Sequence, residues 1–164
     1  RRVLFRSKGP KTFHHGGSMK TVQEWLAEYG ESHCNSLNQT IHKVCVPLIL
    51  WSVLGFFTFF PASGEGLGLL LGLAPLLCAF LLGYYALLGF RSFLLMFIVF
   101  ALCLSSLGAL RYLFPQSGLF FCAIFIFAWI GQGIGHWFEG RKPSFLKDLQ
   151  FLLIGPLWVF RFLL

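Results

Sequence analysis

Four long apolar runs dominate this chain and limit the folds that it can adopt. They occupy residues 45–60, 67–90, 93–114 and 119–138, and their only charged residue is Arg111. Each run is near the roughly 20 residues that a helix needs to cross about 30 Å of hydrocarbon. Because a chain in lipid must satisfy its own backbone hydrogen bonds, these runs predict helices. We therefore expect an all-α fold, a polytopic membrane helix bundle.

Two further segments flank these runs. Residues 20–33 have the pattern of an amphipathic helix that begins at a capping box formed by Thr21 and Glu24. Residues 149–164 are apolar but shorter and contain a proline and an arginine, so this segment either spans with help from its neighbours or lies at the interface. Residues 61–66 are typical of a polar turn. The sequence thus predicts four to five transmembrane helices preceded by a short amphipathic helix.

The beginning of the chain differs in composition from the rest. Residues 1–18 are basic, contain the pair His14–His15 and show no hydrophobic periodicity, so we interpret them as a remnant of an expression vector. They hold five of the thirteen Lys and Arg residues, which leaves eight basic against six acidic residues in the remainder. So small an excess gives no reason to expect nucleic acid as a partner. We treat residues 19–164 as a single membrane-embedded helical domain.

Basic residues are distributed unevenly between the two predicted membrane faces. If the N-terminus is cytoplasmic, only Arg111 and Arg161 lie on the far side. The cytoplasmic side then holds the other six, Lys20, Lys43, Arg91, Arg141, Lys142 and Lys147. Because cytoplasmic loops of membrane proteins carry an excess of Lys and Arg, this pattern predicts a cytoplasmic N-terminus. We expect a multi-pass protein of the bacterial inner membrane or, in a eukaryote, of the endoplasmic reticulum.

Outside residues 1–18 the chain has three histidines, His33, His42 and His136. The first two precede the first predicted span, and the third lies at the end of the fourth span, which returns to the same side. All three are therefore predicted to reach the cytoplasmic face. Imidazole is a good ligand for iron or zinc, and three such ligands leave coordination positions open. The sequence predicts one metal site on this face.

A turn between the first two histidines is necessary for this site. On one unbroken helix, His33 and His42 would point in opposite directions and lie about 13 Å apart along the axis. A second capping-box pattern, Ser36 with Gln39, predicts a turn at residues 35–36 and a new helix just after it. This turn allows the two histidines to share one metal ion.

Three polar side chains are expected to complete the site. Asn38 shares a helix face with His42, and Gln132 and Glu139 share one with His136. We expect Asn38 and Gln132 to hydrogen-bond the outer ring nitrogens and fix their tautomers. Glu139 is open to two interpretations, a metal ligand or an ion-pair partner of the basic residues that follow it.

Two blocks of sequence contain all of these residues. The first is YGESHCNSLNQTIHKVCVP (residues 29–47), and the second is WIGQGIGHWFEGRKPSFL (residues 129–146), followed by LIGPL (residues 153–157). Together they resemble the fungal 2-hydroxy fatty acid dioxygenase family of phytosphingosine breakdown, which also has bacterial members. The resemblance extends over nearly all of residues 19–164.

The resemblance implies a membrane-embedded, Fe(II)-dependent dioxygenase that uses O2 to shorten a 2-hydroxy fatty acid by one carbon, with release of CO2. It implies that iron is held by three residues, His33, His42 and His136. Its other motif positions include three residues that we interpret as catalytic, Asn38, Gln132 and Glu139. A 2-hydroxy acid can chelate the metal through its carboxylate and hydroxyl groups, and cleavage of C1–C2 is a four-electron oxidation that matches one O2.

Two other classes of function remain open from the residues alone. The same histidines would serve zinc in a membrane hydrolase that acts on a lipid and consumes no O2. A non-enzymatic membrane protein, either a small transporter or an assembly partner, would hold no stoichiometric metal. The ionised residues lie near the ends of the predicted spans, which argues against a transport pathway.

Overall fold

Helices account for the fold in the part of the chain that the structure describes, where no strand occurs. This computed structural model describes residues 20–59, 73–113, 118–146 and 149–164. The interpretation of residues 1–18 and the polar turn predicted at residues 61–66 lie outside the described residues. Within them, the prediction of an all-α fold is confirmed.

Six helices and two short 3-10 turns follow one another along the described residues. We number the helices in chain order as α1 (Val22–Gly30), α2 (Ser36–Phe59), α3 (Leu73–Leu87), α4 (Phe90–Leu113), α5 (Gly118–Glu139) and α6 (Phe151–Val159). The 3-10 turns are Ser144–Leu146, between α5 and α6, and Arg161–Leu163, after α6.

Three of these helices are long and apolar enough to cross a membrane, namely α2, α4 over Phe90–Leu110, and α5. Helix α3 is apolar but has 15 described residues. Helix α6 has nine residues, so it is about 14 Å long, roughly half of the hydrocarbon thickness. Residues 149–164 therefore do not cross the membrane as one helix. A membrane-helix fold is supported, whereas a count of four or five spans stays a prediction.

Helix α1 lies against α6 and begins as the sequence predicts. Thr21 accepts a hydrogen bond from the backbone N–H of Glu24 (3.3 Å), and the Glu24 carboxylate accepts one from the backbone N–H of Thr21 (2.7 Å). The buried Trp25 meets Phe151 of α6 edge-on, with ring centroids 5.2 Å apart. This packing fixes the end of α1, and the turn that follows it, over a helix from the other end of the described chain.

The chain turns between α1 and α2, where the sequence predicts a break. Helix α2 begins at Ser36, and the side chain of Asn35 accepts a hydrogen bond from the backbone N–H of Leu37 (2.9 Å). The predicted capping box of Ser36 with Gln39 is wrong, because Asn35 is the cap and the Gln39 side chain donates to the His33 carbonyl (2.8 Å). These two contacts fix the turn and take His33 out of line with α2.

Helices α2 and α5 form the most extensive helix pair, because glycines on α5 face larger residues on α2. A methyl group on Gly131 would lie 2.6 Å from the Cys45 sulfur, and one on Gly135 would lie 2.5 Å from Asn38 Oδ1. Neither position has room for a side chain, so the two backbones approach closely, as small residues allow between membrane helices. The first turns of α2 thereby meet the last turn of α5.

Arg161 lies at the histidine end of the molecule. The charge pattern had placed it on the opposite membrane face, and that prediction is wrong. Its guanidinium group lies over the Trp158 ring at 3.9 Å, and the Trp158 ring centroid is 5.1 Å from that of His33. Arg91, at the start of α4, donates to the Leu164 carbonyl (3.0 Å). Because α6 is too short to cross, the chain after α5 stays at this end, which increases its excess of basic residues.

Candidate metal centre

Three histidines from separate parts of the chain meet at one buried point. His33 lies in the turn after α1, His42 in the second turn of α2, and His136 in the last turn of α5. The ring centroid of His42 lies 4.3 Å from that of His33 and 4.9 Å from that of His136. One ring nitrogen of each histidine lies within 4.8 Å of the others. The predicted convergence is confirmed, and the three side chains could hold a metal ion.

The His33 ring is oriented by the end of α1. Its Nδ1 lies 2.7 Å from the Tyr29 carbonyl oxygen, and its plane stacks on the Tyr29 ring at 4.2 Å. Because a carbonyl oxygen only accepts hydrogen bonds, Nδ1 carries the proton, and Nε2 presents a lone pair in the neutral ring. Burial lowers the pKa of His33 to about 4, so the ring is neutral near pH 7.

His42 is held in the same way by its own helix. Its Nδ1 lies 3.0 Å from the Asn38 carbonyl oxygen, one turn earlier in α2, so this ring also carries its proton on Nδ1. The Nε2 atoms of His33 and His42 face each other at 2.9 Å. With both protons on the outer nitrogens, no hydrogen is left between these two atoms, and two lone pairs meet.

A shared cation stabilises such an arrangement, whereas two bare acceptors repel each other. Metal–imidazole bonds of about 2.0–2.1 Å at roughly right angles separate two ligand nitrogens by about 3 Å. The distance between the Nε2 atoms of His33 and His42, 2.9 Å, agrees with this value. The donor set therefore fits a metal ion, and three imidazoles leave coordination positions open for other ligands.

Glu139 fastens the end of α5 to the turn before α2. Its carboxylate accepts hydrogen bonds from the backbone N–H groups of Cys34 (2.8 Å) and Asn35 (2.9 Å) and from the Asn38 side-chain amide (2.9 Å). Among the described residues it belongs neither to the cluster of metal-ligating atoms nor to an ion pair. Both interpretations offered by the sequence therefore stay predictions, and what the described contacts show is a carboxylate that accepts hydrogen bonds from the turn before α2. Arg141 instead donates to a backbone carbonyl of the turn after α1.

The sequence predicted that the side chains of Asn38 and Gln132 hydrogen-bond the outer ring nitrogens of the histidines. No such contact occurs among the described residues. The Asn38 side chain is directed to Glu139, and only its backbone carbonyl reaches His42. Gln132 is buried, yet its Nε2 has no hydrogen-bond partner among the described residues, and neither has Nδ1 of His136. Carbonyl oxygens one turn earlier, which no sequence pattern distinguishes, orient the two rings of His33 and His42.

An apolar cavity of about 380 Å³ opens from His42 and His136 into the helix bundle. One wall is a row of α2 residues, Val46, Ile49, Leu50 and Val53. The other walls come from α3, α5, the loop after α5, and α6, and they include Leu77, Leu81, Phe125, Phe145 and Phe151. Cavities of this size bind small ligands. The apolar walls and the polar end suit an amphiphile with an alkyl chain.

One wall of this cavity has a signal in the sequence. The α2 wall continues the face of His42 at helical spacing, from Val46 to Val53. The contributions of α3 and α6 follow from packing between segments distant in sequence and had no comparable signal.

Two buried serines close the site on the loop side. The hydroxyl groups of Ser32 and Ser144 are hydrogen-bonded to each other, and Ser32 also donates to the Tyr29 carbonyl (3.2 Å). This contact joins the turn that carries His33 to the 3-10 turn after α5. Serines in polar loops are mostly exposed, so no sequence pattern distinguishes these two from other loop serines.

The sequence also matches a known protein family. The family model described as Mpo1-like, 2-hydroxy-palmitic acid dioxygenase Mpo1-like, matches residues 19–164, which include the whole site described above. The chain therefore belongs to this family, and the resemblance noted in the sequence is confirmed. No curated protein and no solved structure matches the chain.

Proposed function

We propose that this member of the 2-hydroxy-palmitic acid dioxygenase Mpo1-like family is an iron-dependent membrane dioxygenase that shortens 2-hydroxy fatty acids by one carbon. The observation that carries the proposal is the facing pair of Nε2 lone pairs on His33 and His42, 2.9 Å apart, with His136 beside them. This arrangement favours a metal ion at the polar end of an apolar cavity. The family description supports the class of reaction.

The choice of iron rests on the class of reaction. Imidazole ligands suit iron and zinc alike, but zinc has no redox chemistry. Bound Fe(II) would supply O2 activation and a template that holds the acid and the oxidant together. His33, His42 and His136 would hold it, and three protein ligands leave room for both reactants.

The shape of the cavity supports a fatty acid as substrate. Its polar end lies at His42 and His136, and its walls are otherwise mostly apolar. A carboxylate and a 2-hydroxyl group at the polar end would lie next to the histidines, while the alkyl chain fills the space along α2. Burial of the chain supplies binding free energy of about 0.8 kcal/mol per CH2 group.

The proposed reaction balances without a further co-reactant. A 2-hydroxy acid and one O2 give the acid one carbon shorter, CO2 and water. The C1–C2 bond breaks, C1 leaves as CO2, and C2 becomes the new carboxyl carbon. The four electrons that the acid loses reduce the O2.

The chain's own groups contribute orientation. The carbonyl oxygens of Tyr29 and Asn38 hold the protonated Nδ1 atoms of His33 and His42, so both Nε2 lone pairs point to one place. We assign Glu139 and the Asn38 side chain as positioning residues, because together they fix the turn that carries His33 without touching a ring.

The test is a joint measurement of metal, O2 uptake and product on purified protein. Residues 1–18 are first removed, because His14 and His15 offer imidazole ligands of their own. With 2-hydroxyhexadecanoic acid we expect bound iron and equal molar amounts of O2 consumed, CO2 released and pentadecanoic acid formed. His33→Ala and His136→Ala should lose both metal and activity, whereas Val44→Ala, on an exposed face of α2, should keep both.

The alternatives give different results in the same measurement. Stoichiometric zinc without O2 uptake would replace the proposal with a lipid hydrolase. Absence of stoichiometric metal would favour a non-enzymatic membrane protein. Retention of metal and activity by both histidine variants would exclude the metal site itself.

We also propose that the histidine end faces the cytoplasm. Basic residues gather there, at the start of α1, the start of α4, the loop after α5 and the end of α6, and they include Lys20, Arg91, Arg141, Lys142 and Arg161. Cytoplasmic loops carry such an excess.

A further inference from the structure

We propose that Trp129 and Gln132 bind the carboxylate group of the substrate inside the cavity. Both residues lie on α5 and line the cavity that begins at His42 and His136. The inference rests on the proposed function, because it names the groups that would hold the polar end of a fatty acid.

Two buried donors on α5 lack an acceptor. The indole Nε1 of Trp129 and the amide Nε2 of Gln132 are enclosed, and neither has a hydrogen-bond partner among the described residues. Gln132 as a whole is 7% exposed. Nearly all buried polar atoms in proteins have a partner, because an unpaired donor loses its bonds to water without replacement. Two such donors on one wall of one cavity indicate a ligand with acceptor oxygens.

The donors lie at the polar end of the cavity. Trp129 and Gln132 are three residues apart and therefore share a face of α5, and Gln132 is one turn, about 6 Å along the axis, from His136. The Trp129 ring meets Phe145 edge-on, with ring centroids 5.2 Å apart. Phe145 belongs to the 3-10 turn after α5, at the histidine end of the molecule.

A carboxylate is the group that fits these donors. An indole nitrogen only donates, so the ligand atom opposite it must accept. A carboxylate accepts several hydrogen bonds at once, and a hydrogen bond to an ionised acceptor is about twice as strong as one to a neutral acceptor. With one carboxylate oxygen directed to the histidines, the other is free to accept from Gln132 and Trp129.

The experiment compares an acid with its carboxylate-free analogue. Binding of 2-hydroxyhexadecanoic acid and of 1,2-hexadecanediol is measured with the metal-loaded full chain in detergent micelles. Gln132→Leu removes the amide at similar size, and Trp129→Phe removes only the indole N–H from an aromatic contact. We expect each variant to bind the acid about tenfold or more weakly and the diol as wild type does. The control, Ile130→Leu, changes a lipid-exposed residue of the same helix and should alter neither affinity.

The outcomes separate this inference from the proposed function. If Trp129→Phe and Gln132→Leu keep the wild-type ratio of acid to diol affinity while iron and O2 uptake are normal, the carboxylate site is wrong and the enzyme stands. If the ratio falls in both variants but the metal-loaded wild type consumes no O2, the enzyme is wrong and the carboxylate site stands. Should Gln132→Leu fail to fold, Gln132→Glu keeps the side-chain size, and its charge should abolish binding of the acid but not of the diol.

Discussion

The Asn38 side chain donates a hydrogen bond of 2.9 Å to Glu139, across 101 residues of sequence, and joins the start of α2 to the end of α5. Asn38 lies one turn before His42, and Glu139 lies three residues after His136. The same carboxylate accepts two backbone N–H groups from the turn that follows His33. One side chain thus connects the three segments that carry the histidines.

Removal of this carboxylate should weaken metal binding without removing a ligand. In Glu139→Ala, two backbone N–H groups and the Asn38 amide lose their acceptor. We expect metal affinity, measured by competition with a chelator, to fall about tenfold or more, as it does when outer partners of metal ligands are lost. Glu139→Gln keeps one acceptor oxygen, so its metal affinity should lie between those of the wild type and Glu139→Ala. Lys142→Ala, in the exposed loop nearby, is the control; equal affinity in all three variants would contradict the positioning role.

Close approach of α2 and α5 should be necessary for the metal centre. In Gly135→Ala the new methyl group would lie 2.5 Å from Asn38 Oδ1, so the helices must separate or shift. We expect a loss of about 1–3 kcal/mol in the free energy of unfolding, together with lower metal occupancy. In Gly133→Ala, two residues earlier, the methyl group meets no atom within 4 Å. That control should be neutral or more stable by up to about 1 kcal/mol, and a similar loss in both variants would contradict the explanation.

The depth of the cavity should limit the length of the alkyl chain. Val53 lines the cavity about three turns beyond His42 along α2. Val53→Phe should therefore reduce activity on long 2-hydroxy acids while short ones react as before, which a series of acids of increasing length would reveal. Val44→Phe is the same change at an exposed position of the same helix and should leave the profile unaltered. A uniform loss over all lengths would show that the chain does not extend along this wall.

The orientation of the protein can be read from Cys34. This thiol is exposed and lies beside His33 at the histidine end. If that end is cytoplasmic, a membrane-impermeant maleimide should label inside-out membrane vesicles and not right-side-out ones. Cys34→Ser should abolish the labelling, since the other cysteines are buried or half-buried in helices α2 to α5. Labelling of right-side-out vesicles alone would reverse the proposed orientation.

Much of the fold follows from local pattern in the sequence. The apolar runs predicted the long helices, and the Thr21–Glu24 pattern predicted the start of α1. The capping pattern at residues 36–39 predicted the turn between His33 and His42, although the residue that caps α2 is Asn35. These features depend on hydrophobicity and on residues a few positions apart, which periodicity and capping rules describe well.

The remainder depends on which way side chains point after distant segments have packed. The spacing of Asn38 and Glu139 correctly placed them near the histidines. Asn38 was assigned to a ring nitrogen, and Glu139 to a metal or an ion pair, whereas in the structure the two side chains bond to each other. Arg161 was placed on the far side because the length of α6 could not be read from composition. Capping by Asn35 in place of Ser36 was a choice between two adjacent residues of similar capping strength.

The packing of α6 on the turn after α1 has a consequence for biosynthesis. Trp158 contacts both Tyr29 and His33, with ring centroids 5.5 and 5.1 Å apart. Chains are made from the N-terminus, and segments fold in that order. The three described helices that are long enough to cross a membrane, α2, α4 and α5, are therefore synthesised before Trp158 is available to pack on His33. We therefore expect insertion of these helices to precede assembly of the centre, so that a ribosome-bound chain that ends before α6 should be inserted in the membrane but bind metal poorly.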